Sequence, residues 1–161
     1  MELNFKEIKN NRSKRQLFRI NLGEKDILIK LTDMWLPFDC QKYNNRYYLN
    51  AECNKSDQNL NKIKSFENAI INKFNKSDKK FISIIKERKD RVHLKCMIKV
   101  VKGNIFINTD VDINNLKENF PNKYDIVIKP EILWYDELNN NYGIVYYIHS
   151  IDTKDKLKNQ L

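Results

Sequence analysis

Two histidines and one pair of nearby carboxylates are the residues of this sequence best suited to acid–base or metal chemistry. His93 and His149 each lie in an alternating segment, where an exposed strand histidine is more common than a catalytic base. Asp110 and Asp112 have a spacing typical of a turn and a helix cap, and no third metal ligand lies near them in the sequence. We therefore predict neither a catalytic site nor a metal site from these residues.

The three cysteines, Cys40, Cys53 and Cys96, are widely spaced and odd in number. No C-x-x-C or His-paired spacing is present, so the sequence predicts reduced thiols rather than a zinc site or a disulfide framework. Cys40 stands near Lys42 and is either an activated thiol or a small buried hydrophobic residue, of which the second is more common. Glycine-rich phosphate loops, G-x-S-x-G elbows and H-E-x-x-H motifs are also absent. The sequence predicts a protein that is not an enzyme and needs no cofactor.

Aromatic and basic residues share two stretches of the chain. In MWLPFDCQKYNNRYY, Trp35 and Tyr48 accompany Lys42 and Arg46, and in LWYDELNNNYGIVYY, Trp134 accompanies four tyrosines. Single-stranded nucleic acid is bound by this combination, because bases stack on flat rings for about 1–3 kcal/mol each while cations follow the phosphates. The alternative for any one ring is core packing, since aromatic residues are also strong strand formers.

Strand alternation separates these two uses of an aromatic ring. In the strand around Leu49, the period of two turns Tyr47 toward the core and Tyr48 outward. In the last strand, it turns Tyr146 inward and Tyr147 outward. The residues that alternation assigns to one outer surface are Tyr48, Lys95, Lys99 and Tyr147.

Four cations cluster in and beside the turn KERKDR, at the predicted rim of this surface. They are Lys86, Arg88, Lys89 and Arg91. The run is either a phosphate-binding loop or a solvated hairpin tip, and the sequence leaves both open. The predicted nucleic-acid-binding residues are therefore Trp35, Lys42, Arg46, Tyr48, Arg88, Lys89, Arg91, Lys95, Lys99, Trp134 and Tyr147.

The elements that must position these residues are mainly strands. Apolar residues recur every three or four positions between Asn59 and Phe74, which predicts one amphipathic helix with Ser56 or Asp57 as its cap. A second, short helix is predicted from Ile113 to Phe120. The predicted strands are Gln16 to Asn21, Ile27 to Thr32, Arg46 to Cys53, Phe81 to Ile85, Val92 to Val100, Ile126 to Tyr135 and Tyr142 to Ile151.

The order of these elements predicts a mainly β fold. It is that of an OB-fold-like Greek-key β-barrel of about seven strands, with one amphipathic helix inserted after the third strand and plugging one barrel end. A small β-sandwich is the alternative. At 161 residues, with 3 Gly and 3 Pro, the chain predicts a single domain over 1–161, with a core at about 15–151 and a polar tail at 152–161.

The sequence carries a formal net charge of +9, from 30 Lys and Arg against 21 Asp and Glu. Such a surplus favours polyanionic partners, because each neutralised phosphate releases a condensed counterion. An anionic membrane surface or simple solubility would account for the same charge. Residues 1–10 lack the apolar core of a secretory signal, however, and no apolar run approaches the ~20 residues that span a bilayer. We expect a soluble, intracellular protein without membrane contact.

Two segments carry a family resemblance. IKLTDMWLPFDCQKYNNRYYLNAE, followed by the helix with Phe66 and Glu67, resembles the OB-fold single-stranded DNA-binding proteins of short-tailed coliphages. It is still more similar to their relatives in large nucleocytoplasmic DNA viruses, in which an apolar-Pro-Phe-Gly element, a Tyr-rich strand and a Glu-bearing helix follow one another. IVIKPEILWYDELNNNYGIVYYIHSI resembles their closing hairpin. The resemblance covers about residues 15–151, as scattered motifs.

The chain departs from the family pattern at two places. Asp39 stands where the pattern usually has Gly, so a different turn is expected after Phe38. The phage proteins end in an acidic tail that recruits replication partners and competes with DNA, whereas this chain ends in DTKDKLKNQL, of mixed charge. Recruitment of partners through the tail is therefore not expected.

Together, these features predict a protein that binds single-stranded DNA, largely without sequence preference, in viral DNA replication or repair. The resemblance implies a location in the host cytoplasm or a viral factory, or packaging in the virion. The alternative is a virion or assembly protein that uses the same fold for protein–protein contacts. RNA as a ligand, viral replication or virion proteins as partners, and homo-oligomers are left open by the sequence.

Overall fold

The computed structural model describes residues 2–8, 15–76 and 78–153. These residues form a mainly β fold with one α-helix, α1 (Asn59–Phe74), and a short 3-10 helix (Lys117–Asn119). The strands are β1 (Leu3–Ile8), β2 (Gln16–Leu22), β3 (Ile29–Trp35), β4 (Gln41–Tyr43), β5 (Arg46–Asn54), β6 (Lys80–Ile82), β7 (Ile85–Arg88), β8 (Arg91–Val101), β9 (Asn104–Phe106), β10 (Asn108–Thr109), β11 (Lys123–Asp136) and β12 (Asn141–Thr153).

Five of these strands are hydrogen-bonded into a ring, which we call the closed sheet. Its order is β3, β5, β8, β12 and β11, and β11 pairs with β3 to complete it. The neighbours are antiparallel except for β8 and β12, which run parallel where Met97 pairs with Tyr147. The join between β3 and β5 is narrow, with Trp35 opposite Glu52.

The closed sheet encloses the core because alternate side chains along each strand point inward. On β8, Val92, Leu94, Cys96 and Ile98 are buried, whereas the residues between them face outward. The predicted alternation is wrong at Val100, which is exposed. There β8 runs on past the closed sheet and pairs with the short strand β9.

Helix α1 spans the predicted residues and is bound to the closed sheet by side chains along its length. The N-cap residue is Gln58, whose side chain makes no capping bond, rather than the predicted Ser56 or Asp57; the Asp57 Oδ1 nevertheless accepts a hydrogen bond from the Asn59 N–H at 2.8 Å. The Asn59 side chain in turn accepts from the Thr32 N–H at 3.0 Å and donates to the Thr32 carbonyl at 2.6 Å. Farther along the helix, the Glu67 carboxylate accepts a hydrogen bond from the Tyr146 hydroxyl of β12 at 3.2 Å. These bonds indicate that α1 is a structural element.

Three predicted elements differ from the structure. The helix follows the fifth strand rather than the third, because the edge strands β1 and β4 also precede it. The predicted strand from Phe81 to Ile85 is divided into β6 and β7, since the Ile84 N–H donates to the Glu67 carboxylate instead of to a neighbouring strand, and the Ser83 hydroxyl donates to the same carboxylate. The predicted second helix is reduced to one 3-10 turn, although Asp112 does accept a hydrogen bond from the Asn114 N–H.

The antiparallel pair of β1 and β2 extends the sheet on one side, where β2 pairs with β11 from Gln16–Tyr135 to Arg19–Ile132. This pairing brings the segment that begins at Arg15 alongside Trp134. Within the described ranges, no helix combines the length and the apolar character needed to cross a membrane.

Candidate nucleic-acid interface

Trp35 lies at one end of the outer face of the closed sheet, between two cations. The Arg91 Cζ lies 4.7 Å and the Lys123 Nζ 4.8 Å from the centroid of the indole. Lys123 is the partner of Trp35 on β11, and the buried Glu52 is its partner on β5. Glu52 lies 3.4 Å from the Arg91 guanidinium and 2.8 Å from the His93 Nδ1. This end of the face therefore combines one flat ring with two cations, of which Arg91 is positioned in part by a buried carboxylate.

Tyr48 and Tyr147 lie farther along the same face, on either side of Met97. Met97 pairs with Tyr48 on β5 and with Tyr147 on β12. Each phenol ring has a cation beside it: the Lys95 Nζ lies 4.1 Å from the Tyr48 centroid, and the Lys99 Nζ lies 5.6 Å from the Tyr147 centroid. Both tyrosines are half-buried because these neighbours cover them. Their position agrees with the outward phase predicted from the sequence.

The inward phase of the adjacent tyrosines also agrees with the structure. Tyr146 is buried, and Tyr47 packs against the core. The outward Tyr147 nevertheless has its pKa raised, first by burial and then by the charge of Glu131. A raised pKa favours the protonated hydroxyl, which can act as a hydrogen-bond donor.

A groove of about 440 Å³ runs beside Tyr147. Three cations, Arg15, Arg46 and Lys99, line it together with the rings of Trp134 and Tyr147. No carboxylate is among the described residues that line this groove. We call it the cationic groove. Its charge and its two aromatic rings suit a polyanion that carries flat groups.

Trp134 forms part of the floor of the cationic groove. Its partner on β12 is Gly143, and a Cβ atom at that position would lie 2.7 Å from the indole. Glycine is therefore required for the ring to lie against the strand. The Arg15 Cζ lies 4.5 Å from the indole centroid, and its Nε lies 3.7 Å from the Asp136 carboxylate. Trp134 thus positions a cation at the edge of the groove.

A second groove, of about 560 Å³, shares Tyr147 and Lys99 with the first. Its two lysines are both paired with carboxylates that also line it. The Lys99 Nζ lies 2.9 Å from the Glu131 Oε1, and the Lys129 Nζ lies 3.3 Å from the Asp26 Oδ1. We call this the neutral groove, because its formal charges cancel.

The apolar wall of the neutral groove is the hairpin formed by β8 and β9. Ile105 and Phe106 line the groove, and Phe106 is 69% exposed. Phe106 lies directly opposite Lys99 in the antiparallel pairing. The hairpin turns through Lys102 and Gly103, which both have positive φ, as a two-residue hairpin turn of type I′ requires.

Two of the predicted binding residues have different surroundings from those expected. Lys42 lies opposite Tyr47 because β4 folds back on β5, and its Nζ is 5.5 Å from that ring and outside both grooves. Arg91 is not part of a solvated loop, since the buried Glu52 carboxylate requires a counter-charge and draws the guanidinium to it. Arg88 and Lys89 are exposed at the hairpin tip, as predicted.

Of the residues considered for catalysis, His93 and the cysteines are partly or fully buried in the structure. His93 was predicted to be exposed, but its side chain is only 18% exposed because it packs against Glu52. Burial raises the pKa of the Cys40 thiol and raises that of Cys96 to about 12, which opposes activation of either thiol. Among the residues that the structure describes, no group of three or more His, Cys, Asp or Glu side chains is placed to hold a metal ion.

The sequence matches no protein-family model and is not significantly similar to any curated protein. The motif resemblance to phage and viral single-stranded DNA-binding proteins therefore stays a prediction. The first departure of the chain from their pattern is Asp39. Its carboxylate accepts a hydrogen bond from the Lys117 N–H at 2.8 Å, which joins the turn after Phe38 to the 3-10 helix. Of the second departure, the tail at 152–161, Asp152 and Thr153 belong to β12 and pair with β11, and residues 154–161 lie outside the described residues.

Three residues of this face were missed by reasoning from the sequence. Lys123 and Arg15 reach the two indoles from distant segments, and no local pattern pairs them with Trp35 or Trp134. Phe106 did carry a signal, since it follows a tight turn and ends a strand too short to bury both faces. That signal predicts exposure but does not by itself indicate a ligand.

Proposed function

We propose that this protein binds single-stranded nucleic acid, DNA in the first place, along the outer face of its closed sheet. One observation carries the proposal: four aromatic rings on this face each have a cation between 4.1 and 5.6 Å from the ring centroid. The rings are Trp35, Tyr48, Tyr147 and Trp134. Repeated pairs of a flat ring and a cation suit a ligand in which bases and phosphates alternate.

The magnitudes favour exchange of these intramolecular pairs for contacts with a ligand. A cation beside an exposed ring contributes about 0.5–1 kcal/mol, whereas a base stacked on the ring contributes about 1–3 kcal/mol. The displaced lysine or arginine then meets a phosphate, which releases a condensed counterion. Base stacking and phosphate contacts are indifferent to base identity, so binding is expected to be largely independent of sequence.

The strand order of the closed sheet supports an OB-fold. Numbered along the chain, β3, β5, β8, β11 and β12 are its strands one to five, and the fourth lies beside the first. The order four-one-two-three is that of a Greek key, and the OB-fold is a five-stranded, partly open Greek-key barrel. OB-folds bind oligonucleotides on strands two and three, which are β5 and β8 in this chain. Tyr48, Lys95 and Lys99 lie on these two strands.

The proposed context is viral DNA replication or repair. Its support is the motif resemblance described above, together with the net charge of +9. A positive surplus of this size favours rapid, non-specific association with nucleic acid.

The test is a titration with single-stranded and double-stranded oligonucleotides of equal length at a low and a higher salt concentration. Tryptophan fluorescence reports binding, because Trp35 and Trp134 both lie on the proposed face. We expect tighter binding of the single strand, an affinity that falls with salt, and a loss of about 1–3 kcal/mol for Tyr147→Leu. Leucine keeps the apolar bulk of this half-buried position while removing the flat ring.

Tyr47→Leu is the matched control. It makes the same substitution at a tyrosine of β5 that packs against the core instead of facing outward. It is expected to lower stability and to leave the affinity of the folded protein unchanged. Flat fluorescence and no affinity for either oligonucleotide at low salt would contradict the proposed function.

A further inference from the structure

We infer that the two grooves divide the ligand between them: the phosphates follow the cationic groove, and the bases cross Tyr147 into the neutral groove, where Phe106 is a further stacking residue. This inference rests on the proposed function and extends it to a path and an orientation for the bound strand. It assigns to the β8–β9 hairpin a role in binding bases.

The distribution of charge separates the grooves. The cationic groove has three cations and no carboxylate among its described lining residues; Arg15 and Lys99 are paired with Asp136 and Glu131, which lie outside that lining, so its surplus positive charge comes from Arg46. In the neutral groove, Lys99 is paired with Glu131 and Lys129 with Asp26. A phosphate gains little in the second groove, whereas an uncharged, flat base is not repelled there.

The apolar character of the hairpin is the second observation. Val100, Val101, Ile105 and Phe106 are all exposed, with Phe106 at 69%. Exposed apolar residues that are grouped in this way mark a binding surface more often than a neutral part of the exterior. Phe106 is the most exposed of the four and carries the flat ring that base stacking requires.

Lys99 and Tyr147 form the boundary between the two grooves. Both residues line both grooves, and Phe106 lies opposite Lys99 across the hairpin. Opposite side chains of an antiparallel pair have Cβ atoms about 5 Å apart. Tyr147, Lys99 and Phe106 are therefore close enough for one nucleotide to place its base across Tyr147 toward Phe106 while its phosphate lies in the cationic groove, which Arg46 lines.

The test compares an oligothymidylate with an abasic oligonucleotide of the same length, which has the phosphates but no bases. For Phe106→Ala, we expect an affinity about 5- to 150-fold weaker for the oligothymidylate, no change for the abasic strand, and an unchanged salt dependence. For Arg46→Ala, we expect weaker binding of both strands and a smaller salt dependence, because a phosphate contact is lost. Phe120→Ala removes the same ring from a position 40% exposed and outside both grooves, and should change neither affinity.

The outcomes distinguish this inference from the proposed function. If Tyr147→Leu weakens binding but Phe106→Ala weakens neither strand, or weakens both equally, the division of the ligand is wrong and the proposed function stands. If Phe106→Ala instead changes the oligomeric state in sedimentation and leaves DNA affinity intact, the hairpin is a protein-contact surface. If the unmodified protein binds neither strand at low salt, both proposals are wrong.

Discussion

The aromatic residues of this protein form two groups that differ in what their rings contact. Around Phe74, at the end of α1, the rings of Phe5, Phe18, Tyr135 and Tyr142 lie with centroids 5.3 to 5.9 Å from that of Phe74. We call this the enclosed cluster. On the outer face of the closed sheet, the neighbours of the rings are instead lysine and arginine side chains.

The difference follows from the cost of removing charge from water. An ammonium or guanidinium group cannot be buried among rings without a partner, so the rings of the enclosed cluster pack against one another, edge to face around Phe74 except for the tilted pair with Tyr142. Lys76 does lie near the rings of Phe74 and Tyr135, but its side chain is exposed to solvent. At the outer face, a cation can lie against a ring and keep its hydration. A neighbouring cation alone does not separate the two groups, since the inward Tyr47 also has the Lys42 Nζ 5.5 Å from its ring; packing of the ring against the core is the second criterion.

The largest expected effect comes from the enclosed cluster. Phe74→Ala removes the ring that four others contact, and should lower the free energy of unfolding by about 3 kcal/mol. Urea-induced unfolding measures this loss, and Phe74→Leu, which keeps most of the volume, should cost less. Oligonucleotide affinity at low temperature, where the variant is folded, should be unchanged. A folded Phe74→Ala protein that no longer bound DNA would contradict the assignment of the enclosed cluster to folding and of the outer-face rings to binding.

An intermediate effect is expected at Glu67, which joins the helix to the closed sheet. Its carboxylate accepts hydrogen bonds from Ser83, Ile84 and Tyr146. Burial raises the pKa of this carboxyl despite those bonds. The folded state therefore binds a proton more tightly than the unfolded state, so this group contributes stability at low pH that is lost as the pH rises through its folded-state pKa.

Glu67→Gln tests that linkage. Glutamine does not titrate and offers one acceptor oxygen, so the variant should lose about 1–3 kcal/mol at mildly acidic pH, lose less at neutral pH, and show a flatter dependence of stability on pH. The measurement is the urea midpoint of both proteins from mildly acidic to neutral pH. Because Glu67 lies away from the outer face, affinity per folded molecule should be equal in the two proteins. Parallel pH profiles would mean that Glu67 does not titrate differently in the folded and unfolded states.

The sequence is sufficient to predict features with a strong local period. The bounds of α1, Asn59–Phe74, follow from its apolar spacing, and the opposite directions of Tyr146 and Tyr147 follow from strand alternation. Short edge strands such as β4 and β9 carry too few residues for a period to be recognised. The closure of the sheet depends on pairings between distant segments, which alternation alone does not encode.

The composition of the candidate site is predictable in part for the same reason. The outward positions of Tyr48, Lys95 and Lys99 follow from alternation within single strands. The surroundings of Arg91 depend on Glu52, which has the phase of an exposed residue and is nevertheless buried beneath its neighbours. That burial arises from side chains of several strands meeting at one point, and a single-strand pattern cannot show it.

The smallest effect is expected at the β7–β8 hairpin tip, where a variant tests how far the binding interface extends. Arg88 and Lys89 are exposed there, beyond the Trp35 end of the face. Each phosphate that a cation contacts contributes about 0.7–0.9 to the slope of log affinity against log salt. Arg88→Ala with Lys89→Ala should therefore reduce that slope by up to about two such contacts, weaken binding equally for all sequences, and leave stability unchanged. Arg91→Ala is not an equivalent variant, because it would leave Glu52 buried without its counter-charge and would destabilise the fold. If the double variant keeps the slope of the unmodified protein, the hairpin tip is merely solvated, and the interface ends at Trp35.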